Sequence, residues 1–268
     1  MKKNILKKTI IILALIILII ILIFLAQKIY KKLVQKNKFE NSMISFAEKN
    51  KETIFSVKKI IFFSSCDSKN KTSSSSNFTI ENLYTYTDIA IFIDNNSDEN
   101  TMENTLKNLK ISNIKFSKEP LQGKPNLYYK SVKNFAKSEI DEENLINQEL
   151  QFEITSNDEA DFSKPILFNN CANPITLSYI NQNIKTDYTM TDTQNPITYD
   201  GKLLKRCGVS VQAIEATISF DIEIENNKNQ KFKTTIYFDI PYENEEKSIN
   251  DGNITVKKDT NFNFYRYE

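Results

Sequence analysis

The stretch Ile218–Ile240, ISFDIEIENNKNQKFKTTIYFDI, decides the fold class. Ile218, Phe220, Ile222 and Ile224 alternate with Ser219, Asp221, Glu223 and Glu225. Phe232, Ile236, Phe238 and Ile240 alternate with Lys233, Tyr237 and Asp239. A period of two puts the apolar side chains on one face of a strand and the charged ones on the other. The polar run Asn226–Gln230 joins the two strands into a hairpin, and Pro241, which has no N–H to donate, ends the second. One apolar and one charged face is the pattern of an antiparallel sheet packed on a core from one side.

The same alternation recurs in both directions along the chain. Tyr84–Asp94 places Ile89, Ile91 and Ile93 on one face, and Val57–Ser65 is apolar on both, as a central strand requires. Ile111–Phe116, Leu150–Ile154, Ile175–Tyr179, Ile184–Met190, Ile254–Val256 and Phe262–Tyr267 read as further strands, with Asn181–Asn183 as a turn. Nine to eleven strands and little helix predict a mainly β fold, an antiparallel β-sandwich with an immunoglobulin-like arrangement possible. Two small β domains are the alternative division of residues 57–268. Residues 131–148 read as a short acidic helix.

The N-terminal part is built differently. Thr9–Ala26, TIIILALIILIIILIFLA, is eighteen residues without a charge. As a helix rising about 1.5 Å per residue it would match a bilayer's hydrocarbon core. The expected organisation is a short basic cytoplasmic tail at 1–8, a transmembrane helix at 9–26, a helical juxtamembrane stalk at 27–56 and the β domain at 57–268. The run is longer than a signal-peptide core and no small-x-small site closes it, so it reads as a retained signal-anchor. Lysines 2, 3, 7 and 8 before the run nearly balance Lys28, Lys31, Lys32, Lys36 and Lys38 after it. A short basic tail ahead of a first apolar segment nevertheless acts as a signal-anchor, which puts the N-terminus in the cytoplasm and the C-terminal domain outside the cell. The reversed topology is the alternative.

Charge divides the chain in the same place. Residues 1–38 carry nine lysines and no acid. Of the 35 basic side chains, 26 therefore fall in residues 39–268 against all 34 acids, a net of −8. An acidic domain behind a basic segment argues against nucleic acid and for a lipid bilayer as partner of the N-terminal part.

There is no histidine, which removes imidazole bases, His-containing triads and HExxH zinc sites. The four glycines stand apart, so no phosphate-cradling loop exists. Asp94, Asn96 and Asp98 alternate like calcium ligands but lack the glycine such a loop needs. No catalytic residue, metal or cofactor is expected. The loop 117–130, SKEPLQGKPNLYYK, presents Tyr128 and Tyr129 as a candidate binding surface, and Cys171 with Cys207 as a candidate disulfide, leaving Cys66 over. The resulting expectation is a single-pass anchored protein with a non-catalytic binding or scaffolding role in the cell envelope, in contact with an envelope protein or a second copy. A glycan- or solute-binding module, or a carboxylate-dependent envelope hydrolase, is the alternative.

Overall fold

The alternation seen in the sequence becomes strand pairing among the described residues of the β domain in the computed structural model. It describes residues 19, 21–38, 54–69, 78–95, 105–155, 161–168, 174–190, 197–243 and 246–267. Residues Met1–Lys51 and Glu52–Glu268 form separate compact units. In the first, residues 21–38 are helical. The expected transmembrane helix at 9–26 lies mostly outside the described residues, and among these no helix is long and apolar enough to cross a membrane. The predicted stalk ends earlier than residue 56. Phe55 already begins a strand and is fully buried.

The second unit holds eleven strands among the described residues. They are β1 (Phe55–Ser68), β2 (Phe78–Asn95), β3 (Leu106–Lys118), β4 (Lys124–Tyr129), β5 (Leu150–Thr155) and β6 (Ile166–Phe168). β7 (Ile175–Met190), β8 (Ala216–Asn226), β9 (Lys231–Ile240), β10 (Ile254–Asn263) and β11 (Tyr265–Arg266) follow. One sheet has the order β10-β1-β2-β7-β4 and the other β11-β9-β8-β3-β5-β6. All pairs are antiparallel except β5 with β6. The sheets curl into a half-barrel, and Phe264 alone separates β10 of the first from β11 of the second. Five and six strands with one parallel pair differ from the seven- or nine-strand immunoglobulin arrangement.

The main core lies between the sheets. Ile60, Phe62, Ile89, Ile91 and Leu177 from the first meet Leu109, Phe220, Ile222, Ile236 and Phe238 from the second. The rings of Phe62 and Phe238 meet edge to face at 5.0 Å, and those of Phe55 and Phe232 at 5.5 Å. Such pairs add about 0.5–1.5 kcal/mol each beyond area burial.

Three expectations are corrected here. Asn181–Asn183 does not reverse the chain, and β7 runs straight through it. Asn183 takes a left-handed φ of 61°, the pairing with β2 slips at Leu83/Thr85, and Asn181 Nδ2 donates to Gln122 O at 2.8 Å. A bulge bends a strand while keeping the pairing on both sides of it. Residues 131–148 form two single 3-10 turns, Val132–Asn134 and Glu142–Asn144, in place of a helix. Two short helices, α1 (Lys202–Arg206) and α2 (Val211–Ile214), were unforeseen. They cover the far ends of β1, β2 and β7, where Leu203, Leu204, Val211 and Ile214 build a second core with Cys66, Ile80, Leu83 and Ile184. Gly201 permits this packing: a Cβ there would stand 1.8 Å from Ile249 O.

Candidate functional site

The outer face of the first sheet is covered, and its cover builds the most buried polar cluster of the described residues. Strand register sets one row across four strands: Phe63 faces Asp88, Asp88 faces Ser178, and Ser178 faces Tyr128. Tyr84 and Tyr86 follow on β2, and Ile180 on β7. The segment Lys130–Ile146 lies over this row like a strap. Ile140 and Leu145 pack on the tyrosines, and the ring of Phe135 meets that of Phe63 at 6.4 Å.

Lys130 leaves β4 and turns under the strap to reach Asp88. Its Nζ lies 3.0 Å from Asp88 Oδ1 and 2.9 Å from Oδ2. Ser178 Oγ donates to Oδ1 at 2.6 Å, and the Ala136 N–H to Oδ2 at 2.7 Å. Lys130 Nζ also donates to Lys137 O, and Ala136 holds a φ of 64° to deliver its N–H. Both charges are removed from water, Asp88 fully and Lys130 at 6% exposure. Burial pushes the Asp88 carboxyl above its ordinary value, although Lys130 and the hydrogen bonds oppose it. Burial likewise lowers Lys130, against the pull of Asp88. With its carboxylate satisfied from three directions, this pair fixes the strap and offers no open lone pair to a reactant.

Tyr128 and Tyr129 are not in a loop. They end β4 on opposite faces, 3% and 7% exposed. The expected loop becomes a strand from Lys124 onward because Pro125, at the sheet edge, does not prevent pairing with Asn181 of β7. Tyr128 OH donates to Glu142 Oε2 and accepts from Gln182 Nε2, each at 3.1 Å. Tyr129 OH donates to Lys164 O, and its ring meets Phe152 at 6.0 Å in the main core. Burial pushes the Tyr129 phenol up to about 12. A cavity of about 280 Å³ opens beside the pair, lined by Lys130, Asn134, Glu139, Asp141 and Glu142. Cys171 lies outside the described residues, so its expected pairing is not placed. Cys207 is a free thiol and shares the second core with the fully buried Cys66, whose thiol burial pushes well up.

The outer face of the second sheet is open. Here the charged half of the Ile218–Ile240 alternation stands in ladders. Lys233 Nζ lies 2.8 Å from Asp221 Oδ2 and 3.3 Å from Glu223 Oε1, and Lys110 Nζ 3.4 Å from Glu223 Oε2. Lys107 Nζ lies 2.8 Å from Glu225 Oε1. Asn113 Nδ2 and Thr235 Oγ1 donate to Asp221 at 3.0 and 2.6 Å. Burial alone would raise the Asp221 carboxyl, but Lys233, Thr235 and Asn113 outweigh it and hold it below its ordinary value. A shallow groove of about 230 Å³ runs over Asn108, Lys110, Gln151, Glu223 and Glu225 to Tyr267. The exposed tyrosines of the domain gather along this edge: Tyr237 at 67%, Tyr265 at 54% and Tyr267 at 45%. Strand alternation assigned Tyr237 to the outer face from sequence, but the row it forms with β11 needed the pairing.

Among the described residues no group of three His, Cys, Asp or Glu side chains is placed to hold a metal ion. No family model, curated protein or solved structure matches the chain.

Proposed function

We propose that this protein is a single-pass, membrane-anchored binding or scaffolding module of the cell envelope, its β-sandwich held outside the cytoplasmic membrane. The observation that carries the reading is the uncharged run Thr9–Ala26 between two groups of lysines, followed by an acidic domain of different construction. A non-catalytic role draws support from the missing histidine and from the Asp88–Lys130 pair, whose hydrogen-bonding capacity is spent on the strap. The bilayer is then the partner of residues 9–26, and an envelope protein or a second copy the partner of the domain.

Leu121 is 84% exposed and provides the test. A Leu121→Cys chain, expressed in whole cells, should react with a membrane-impermeant maleimide before lysis and stay with the membranes through alkaline carbonate washing. Reaction only after lysis, with an external control labelled, sinks the orientation. Release by carbonate sinks the anchor. Crosslinking in the same cells should trap a partner, and a domain that remains monomeric and uncrosslinked across growth conditions refutes the scaffolding role.

A further inference from the structure

We infer that the open face of the second sheet binds an extended, uncharged polysaccharide, with Tyr267, Tyr265 and Tyr237 as its stacking platform. The inference rests on the binding-module reading and names the ligand class of that module.

The placement follows from register. Tyr265 pairs with Lys233, and the Tyr267 N–H donates to Lys231 O, which sets both tyrosines against the end of β9. Tyr237 lies six residues beyond Lys231 on β9 and on the same face as Lys233. At about 3.4 Å per residue the row extends roughly 20 Å. Its rings are supported from behind. Phe262 meets Tyr237 edge to face at 6.5 Å, and Tyr267 OH donates to Glu223 Oε2 at 3.3 Å.

The chemistry selects the occupant. The neighbouring charges are already paired, Lys233 with Asp221 and Glu223, Lys110 with Glu223 and Lys107 with Glu225, so the face has little net field for an ion. A dry protein interface would have to strip water from all of these pairs, which costs more than their attraction returns. Sugar hydroxyls can take the place of that water, bonding to Asn108, Gln151 and Glu225 in the groove, while pyranose C–H faces lie on the exposed rings. An equatorially linked chain presents flat C–H faces at every residue, on which successive rings along a strand can stack.

The test is titration of the full chain in detergent micelles with cellohexaose and chitohexaose, followed by calorimetry. Binding of either is expected. Tyr237→Ala and Tyr265→Ala should each weaken it about 2- to 12-fold, and together should remove it, with Tyr→Phe at either position retaining it. Tyr128→Phe should leave the affinity unchanged. No binding at millimolar oligosaccharide overturns the inference, as does binding that survives the Tyr237→Ala/Tyr265→Ala double substitution. Self-association through this face, lost in the same double variant and unaffected by sugar, also overturns it and assigns the face to a second copy. The titration is independent of where the chain resides, so its failure leaves the anchored-module reading to the maleimide and crosslinking experiments.

Discussion

The outer faces of the two sheets use the same residue types for opposite ends. Each carries tyrosines, a lysine–aspartate pair and neighbouring hydroxyl or amide groups. On the first sheet the strap seals them from water, with Asp88 fully buried and Lys130 at 6% exposure. On the second the lysine and the tyrosines stand in solvent, with the Lys233 side chain at 40% and Tyr237 at 67%, while Asp221 beneath them is 3% exposed. Burial makes an ion pair all-or-nothing, because desolvation has been met only as long as both partners remain. Exposure makes the outer pairs, such as Lys107 with Glu225, nearly dispensable and leaves their charged ends in water. The covered face is therefore a structural joint, whereas the lysines and tyrosines of the open face remain in water.

The largest test of this contrast is Lys130→Ala. It leaves the Asp88 carboxylate buried without its counter-charge and should destabilise the domain by about 3–5 kcal/mol in chemical denaturation. A loss comparable to that of a surface pair would mean that the strap opens readily to water, and the contrast would collapse.

Asp221→Asn comes next, at roughly 1–2 kcal/mol near neutral pH, because it weakens charge-assisted hydrogen bonds from Lys233, Thr235 and Asn113. Its pH dependence sharpens the comparison. The folded Asp221 carboxyl sits below its ordinary value, so its contribution is present above the usual aspartate pKa and is lost as pH falls through the lowered one. The gap between wild type and Asp221→Asn should close in acid. Asp88 has the opposite sign: its raised value means that the folded state takes up the proton first, so acid relieves part of its burial cost. Denaturation curves of both Asp→Asn variants between acid and neutral pH would show the two trends diverging, and parallel trends would refute the assignment.

Tyr128→Phe should cost about 1 kcal/mol, since it removes the hydroxyl's hydrogen bonds with Gln182 and Glu142 on the covered face, whereas Tyr237→Phe should stay within about 0.5 kcal/mol. Equal effects would erase the distinction between the tyrosines. Lys107→Ala is expected to cost about 0.2–1 kcal/mol, a loss that shrinks with added salt. A salt-independent loss would show that this ladder is less solvated than its exposure indicates.

Much of the fold was legible because strand alternation is a local property. Ile218–Ile240 reads as a hairpin and forms one, β8 and β9 pairing from Ala216–Ile240 through Glu225–Lys231. Ile89, Ile91 and Ile93 were assigned one face and are buried there, and β9 ends before Pro241. The candidate site was barely legible. Tyr128 and Tyr129 stood out by composition, yet their fate depended on pairing β4 with β7, fifty residues further on. Asp88 carried one readable hint: it follows Tyr84 and Tyr86 on a single strand face, and so many aromatics on an outer face call for a cover. Nothing local named Lys130 as its partner, 42 residues away.

The amino-acid sequence by itself determined the β class, the positions of most strands, the acidic character of the domain and the uncharged run at residues 9–26. Each depends on side-chain type and short-range periodicity, which no distant contact alters. Only the tertiary structure decided which tyrosines face water, that Asp88 is sealed together with its lysine, and that residues 181–183 bulge where a turn was expected. Those outcomes follow from which strands lie side by side and from where the strap comes to rest. Desolvation then gave the same lysine and aspartate chemistry a structural role on one face and left it exchangeable on the other.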